Sequence, residues 1–437
     1  MSLPLRQKLR LTISFAALLF VGLGSSYLYG QSKTKHPATQ NLSKTQQEYS
    51  TLPQQQIFLA SRQENGFTFQ QTSYENQDKQ NTRSSGQKPG SVSTYYQVID
   101  ELQNYKFSVQ SGQVFTSGKL PTTKVNFNQA DLLSVLSNTR KYYQDYASED
   151  PTVLRTGLLG AQGVNVQDIL KTLDFMISVL QEDIANNRAT RLQDPNFINT
   201  HFRVIKWSAY NSQTPSQKQL RITKYAVFTH PGSHKKTSTF NTPIYSLKDN
   251  STNKFYTKYT KQDVLSGIYE PGGKEFGKVE PLAYLTREGL EEALMEGTIL
   301  INFTDGTKGL FNVDRNNEMP YLRGVKATAQ KRYWYFREVD AIKGYGYKID
   351  AKISIKPGVT FAGDVLNIGL GRVIVLEYTK GGRKQLQLGV LSDTGGAFLP
   401  NLHQLDFLAG VFQSRKDFDQ HIKQLPEYAT AYILVKK

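Results

Sequence analysis

The chain is predicted to be mainly β with a helical part near its front, and three observations lead there. Two stretches between residues 128 and 180 repeat apolar side chains at helical spacing. Past about residue 203 the pattern changes to short runs rich in Val, Ile, Tyr and Phe. Asp-Gly and Gly-Gly pairs then separate such runs at hairpin spacing.

In chain order, residues 1–10 carry Arg6, Lys8 and Arg10 and no acid, and residues 11–30 run without a charge. Twenty residues of helix span about 30 Å, enough for a bilayer core. The preceding positive charges would keep the N-terminus in the cytoplasm and send the bulk of the chain outside. Gly24-Ser25-Ser26 also offers small residues for signal-peptide processing, so an anchor and a cleaved signal both remain open. Either way the rest is exported. Residues 31–95 hold thirteen glutamines among Ser, Thr and Asn and read as a flexible tether, with a short ordered piece around 57–69.

Asn128 precedes a helix over 129–146 with Leu132, Leu133, Leu136 and Tyr143 on one face. Asn165 precedes a second helix bearing Ile169, Leu170, Leu173, Ile177 and Leu180. These stripes read as core. Further on, 298–303 and 309–313 flank Asp305-Gly306, and 372–378 and 385–391 flank Gly381-Gly382. Both pairs read as hairpins, and the second leads straight into Asp393.

Lys and Arg number 53 against 37 Asp and Glu, a formal charge of +16. Such a balance favours a polyanionic partner. The basic residues are scattered and no nucleic-acid motif is present, so nucleic acid is the weaker choice beside acidic phospholipid or an anionic wall polymer. No cysteine occurs, which removes disulfides, thiol catalysis and cysteine metal sites. Of six histidines only His230 and His234 are close, and Pro231 keeps them off a shared helix face, so no metal is expected. Gly369-Leu-Gly371 lacks the third glycine of a nucleotide loop, no Gly-x-Ser-x-Gly elbow occurs, and no cofactor is called for.

The chemistry-bearing stretch is Val390-Leu-Ser-Asp-Thr-Gly-Gly-Ala-Phe398, followed by Leu405-Asp-Phe-Leu-Ala-Gly410. Asp393 ends a strand against a glycine pair, and Asp406 is a short loop away. Two carboxylates converging on one cleft suit glycosidic bond cleavage, where one must be held protonated for a leaving sugar oxygen. Asp-Thr-Gly-Gly is equally a turn sequence. In the aromatic run Tyr333-Trp-Tyr-Phe336, strand alternation would turn two rings to the core and two outward, where stacking on sugar faces is one use and packing another.

From about residue 222 to the end, these residues resemble the membrane-bound lytic transglycosylases of the A type, which end in a module named for three aspartates. The similar segments come in order: Phe228-Thr-His-Pro231, Phe240-Asn-Thr-Pro-Ile-Tyr245, Tyr259-Thr-Lys with Gly267, Pro281-Leu-Ala-Tyr-Leu285, Gly297-Thr-Ile-Leu-Ile with Asp305-Gly306, Met319-Pro-Tyr-Leu-Arg-Gly324, and Tyr333-Trp-Tyr-Phe336. On this resemblance the three aspartates would be Asp364, Asp393 and Asp406.

The resemblance implies a double-psi β-barrel interrupted by a smaller inserted β-barrel, with a glycan groove between them. Residues 96–231 would supply the helices and first barrel strand, 232–340 the insertion, and 341–437 the three-aspartate part of the barrel. It further implies non-hydrolytic cleavage of the β-1,4 bond between N-acetylmuramic acid and N-acetylglucosamine in peptidoglycan, leaving a 1,6-anhydromuramyl end. Asp406 would be the single acid and base. Asp393 would raise its pKa by like charge or organise the loop, and Asp364 would be structural. Thr229, Phe228, Tyr335, Gly395, Gly396 and Ala397 would meet the glycan. The rival readings are a non-catalytic wall-binding or divisome scaffold on the same fold, and a hydrolytic muramidase using both Asp393 and Asp406.

Overall fold

The structure, a computed structural model, describes residues 95–437 except 101–102, 249–253, 321, 323, 396–397 and 399. The uncharged run 11–30, the tether up to residue 94 and the piece 57–69 lie outside the described residues.

The described chain opens on an antiparallel ribbon, β1 (Tyr95–Ile99) and β2 (Tyr105–Gln110), followed by a single turn α1 (Ser111–Val114) and the short strands β3 (Phe115–Ser117) and β4 (Val125–Asn126). The segment expected to supply the helices therefore begins with strands, and Val98 and Val109 bury on one face of this ribbon. Two long helices follow, α2 (Gln129–Tyr146) and α3 (Val166–Ala185). The Asn128 side chain accepts from Asp131 N at 3.0 Å. Asn165 and Asp168 close a reciprocal capping box, both bonds at 3.0 Å. Leu132, Leu136, Leu173 and Leu180 are fully buried, each stabilising the packing by about 1.5–3 kcal/mol.

After α4 (Pro195–His201), strands β5 (Phe202–Trp207) and β6 (Leu220–Gly232) enter the main sheet. The chain then builds β7 (Thr242–Leu247), α5 (Lys261–Leu265), β8 (Val279–Leu285), α6 (Arg287–Ala293), β9 (Thr298–Phe303), β10 (Lys308–Asn316) and β11 (Trp334–Glu338). It returns through β12 (Thr360–Ala362), β13 (Val373–Lys380), β14 (Arg383–Asp393), β15 (Gln404–Phe412), α7 (Arg415–Ile422) and β16 (Tyr428–Lys436). The β13–β14 turn is two residues long, with φ of 56° at Gly381 and 73° at Gly382. Both values lie in the left-handed region that a tight hairpin turn demands, which is why glycine stands at both.

Six strands close on themselves in the order β6, β15, β12, β14, β13, β16 and back to β6. The β6–β15 and β12–β14 pairs are parallel and the others antiparallel. This ring and helices α2 and α3 share one hydrophobic core. A second core gathers residues between Ile244 and Phe336. Strand β6 belongs to both regions: its first part pairs with β15, while Phe228 to Gly232 pair in parallel with β9. The second region is barrel-like. Strands β6, β9, β10 and β11 form one ladder, a Ser233–Tyr284 bridge joins it to the β7–β8 ribbon, and β7 packs back on β11.

Candidate active site

The register gathers the two predicted carboxylates around one alanine. Ala362 of β12 faces Asp393 on its β14 side and Asp406 on its β15 side, and Asp406 faces Thr223 of β6. One row across four strands thus reads Asp393, Ala362, Asp406, Thr223. The backbones of the two aspartates are two strand spacings apart, about 10 Å. Helix α2 holds the end of β14 from behind, since the hydroxyls of Thr139 and Ser392 share a 2.8 Å hydrogen bond.

The two carboxyls have different surroundings. The Tyr225 hydroxyl donates to Asp393 Oδ2 at 2.6 Å, and Thr394 N donates to Oδ1 at 2.8 Å. Burial pushes the Asp393 carboxyl up to about 6; these two donors and the positive charge of Lys352 pull it back. Asp406 is pushed higher, to about 7, again by burial first. Thr223, Lys224 and the Phe407 N–H oppose that rise, and the charge of Asp393 adds to it. Among the described residues Asp406 Oδ1, itself buried, has no hydrogen-bond partner. A carboxyl so placed keeps a proton near neutrality and has an oxygen unspent on the fold.

Asp364 is different. It is buried and pushed up to about 6 by burial, yet it accepts from Asn401 N at 2.9 Å, Asn367 Nδ2 at 2.7 Å and Asn367 N at 3.0 Å. Asn367 in turn exchanges hydrogen bonds with the backbone of Ile99. Its carboxylate ties β1 and the segment before β15 to one end of the barrel.

The remaining sequence-predicted contacts separate. Thr223, Tyr225 and Thr229 share one side of β6 by strand alternation. Thr229 Oγ1 is buried with no hydrogen-bond partner among the described residues, a donor and acceptor left over for something else. Phe228 falls on the opposite side of β6. Its ring packs edge-on against Phe418 of α7 at 5.5 Å, so the structure does not bring it to the carboxylates. Tyr335 is also corrected: it is fully buried in the second core, its hydroxyl 2.6 Å from that of Tyr269. Tyr333 and Phe336 are buried as well and only Trp334 is partly open. β11 is buried on both sides, so alternation no longer sorts its rings into inner and outer. Gly395 is half-buried and its carbonyl accepts from Phe398 N at 3.0 Å. Gly396 and Ala397 lie outside the described residues. Among the described residues no three His, Asp or Glu side chains are grouped to hold a metal ion.

Sequence reasoning missed Thr223, Tyr225, Thr394 and Lys352. Tyr225 is 168 residues from Asp393, and only the parallel pairing of β6 with β15 brings it near. A polar-aromatic alternation at 223 and 225, in a strand otherwise read as barrel wall, was the available signal.

The closed six-stranded barrel interrupted by a second β region has counterparts among solved structures. The chain shares its fold with the membrane-bound lytic murein transglycosylase from Agrobacterium tumefaciens, at 15% identity and a TM-score of 0.52 over 74% of this chain and 98% of that one. The structure of E. coli MltA with bound chitohexaose aligns at 15% identity and a TM-score of 0.49, over 74% of this chain and 94% of that one. No family model and no curated protein matches the chain.

Proposed function

We propose that this protein is a peptidoglycan lytic transglycosylase. It cleaves the β-1,4 bond between N-acetylmuramic acid and N-acetylglucosamine and leaves a 1,6-anhydromuramyl end. The observation that carries the reading is the pairing of Asp393 and Asp406 about Ala362 with Asp406 pushed up to about 7 and one of its oxygens unpartnered. The fold shared with the Agrobacterium enzyme supports it.

In this mechanism protonated Asp406 gives its proton to the glycosidic oxygen as the C1–O4 bond breaks. The resulting carboxylate takes the proton of the muramyl O6 hydroxyl as O6 bonds to C1. Proton count is unchanged over the cycle and no water enters. Asp393 stays ionised beside it, holding the proton on Asp406 by like charge. Thr229 donates to or accepts from the bound glycan with its spare hydroxyl. The closed barrel is the double-psi barrel of the class, residues 232–340 are its insertion, and the glycan lies between the two. Residues 11–30 anchor or export the chain, and the charge left on the exported part, +16 less Arg6, Lys8 and Arg10, or +13, holds it to anionic wall polymer.

Digestion of purified sacculi by the full chain, with fragments analysed by mass, tests the proposal. Anhydromuramyl ends support it. Reducing ends would assign a hydrolytic muramidase instead, and binding without fragments a wall-bound scaffold.

A further inference from the structure

Strand β6 carries one face from the barrel onto the insertion. Thr223 and Tyr225 lie on that face beside the two carboxylates, and Thr229 continues it further along, about 20 Å from Thr223. There β6 pairs in parallel with β9, which sets Thr229 opposite Leu300 and Pro231 opposite Asn302. β9 in turn sets Leu300 opposite Leu310 of β10. The other face of β9 and β10 belongs to the second core, where Ile299, Ile301 and Phe311 are buried. Thr229, Leu300, Asn302 and Leu310 therefore share the face turned away from that core, and each is half-buried.

Two polar atoms on this face are unused. Thr229 Oγ1 and Asn302 Oδ1 are both buried, and among the described residues neither has a hydrogen-bond partner. An unpaired buried polar atom is costly, and two on adjacent strands of one face point to a shared partner. Their residues are diagonal neighbours, about 8 Å apart given the spacings between and along strands. A hydroxyl donates and a side-chain amide oxygen accepts, so the pair suits a group with an acceptor and a donor directed apart. A secondary amide has that shape, its C=O and N–H pointing in opposite directions. Leu300, beside both residues, and Leu310 add an apolar surface that suits a small alkyl group. Carbonyl, N–H and methyl together make an acetamido group. Because the two polar residues are half-buried rather than sealed, rotation about one side-chain bond turns each polar atom to the open side.

We propose that Thr229 and Asn302 form a subsite that reads the N-acetyl group of one sugar in the bound glycan. The Thr229 hydroxyl donates to the acetamido oxygen, Asn302 Oδ1 accepts from the acetamido N–H, and the methyl lies on Leu300 and Leu310. This rests on the reading of the substrate as an amino-sugar polymer and adds what selects it. A sugar with a plain hydroxyl at that position leaves the pair unsatisfied. The subsite is remote from Asp406, so it governs affinity and choice of glycan rather than the chemical step.

Calorimetric binding to the full chain would compare two uncharged β-1,4 hexamers, one of N-acetylglucosamine and one of glucose. Asp406→Asn serves as the common background, so that nothing is cleaved. Asn302→Ala and the isosteric Thr229→Val should each weaken binding of the acetylated hexamer by about tenfold. Affinity for the glucose hexamer should stay as it was. The double variant should lose less than the product of the two single losses, since both atoms hold one amide. Melting temperature should hold in each, because the fold uses neither atom. Unchanged acetylated binding in both folded variants overturns the proposal. So does an equal loss for the two hexamers, or no affinity for the acetylated one before substitution. If binding depends on Asn302 while the sacculus digest yields no anhydromuramyl ends, the catalytic reading fails and the subsite stands.

Discussion

Asp364 and Asp406 lie at the same end of the same barrel, one two residues past Ala362 and the other directly opposite it. Burial raises both carboxyls, to about 6 and about 7. Their hydrogen bonding is what differs. Asp364 receives three N–H donors and each of them belongs to a chain segment it holds. Asp406 has an oxygen that nothing in the described fold uses. A buried polar atom without a partner is costly and is retained where chemistry requires it. The same residue type, a short distance away, is thus in one case a fastening and in the other keeps an unpartnered oxygen for the proposed chemistry.

The largest effect expected from that contrast is on turnover. Asp406→Asn should lower the rate of anhydro-end release by about a hundredfold to ten-thousandfold while sacculus binding persists. It should also stabilise the fold. The folded pKa of about 7 lies above an unfolded value of about 3.9, so the native state loses stability as pH rises from about 4, and the loss is complete above about 7. The asparagine variant should therefore melt a few degrees higher at pH 8 and at the same temperature at pH 4. Calorimetry at the two pH values checks this, and an unchanged rate would take Asp406 out of the mechanism.

Next in size is Asp364→Ala. It leaves buried N–H groups of Asn367 and Asn401 without acceptors, at a cost of about 2–4 kcal/mol. The Ile99 backbone, tied through Asn367, should gain hydrogen-exchange rate with it. Protein that remains folded should keep the same pH limbs of activity. Lost turnover with an unchanged melting temperature would erase the distinction between the two aspartates.

Smaller again is the profile of the unsubstituted protein. If the working form has Asp406 protonated and Asp393 ionised, kcat/KM should rise through about pH 6 and fall through about pH 7. The two limbs belong to the coupled pair rather than to either residue alone. A rate that rises steadily through pH 8 would contradict a protonated Asp406 as the acid.

Much of this layout was legible because it is written locally. Asn128 and Asn165 announce their helices by capping, and Gly381-Gly382 announces a hairpin because only glycine tolerates both turn positions. Asp393 and Asp406 were found as a pair because they flank one loop. Side-chain direction was less legible. Tyr335 looked available because alternation presumes a strand with one wet face, and β11 has β7 packed on it. Phe228 looked like a glycan contact until α7, from the far end of the chain, covered its ring. Tyr225 was invisible for the same reason: its partner is Asp393, and only the barrel closure brings it there.

The finest test of the row is Tyr225→Phe. The Tyr225 hydroxyl stays protonated, since burial raises its pKa well above the ordinary tyrosine value, and it can only act on Asp393 as a neutral donor. Removing it deletes one hydrogen bond to a charged acceptor and leaves Thr394 N–H and Lys352 in place. The ring itself remains to pack, so the fold should change little. A hydrogen bond of this kind favours the ionised form by about 1.5 kcal/mol or somewhat more, close to one pKa unit. Asp393 should then titrate near 7 instead of near 6, meeting Asp406, and the proton would be divided between them. The acid limb of kcat/KM should move up by about one unit while the alkaline limb holds, narrowing the bell and lowering its peak. Because Tyr225 touches Asp393 and not Asp364, the melting temperature of the variant should follow the unsubstituted protein at low pH, where Asp393 is protonated in both. An acid limb that does not move would mean that the ionised partner of Asp406 is not Asp393.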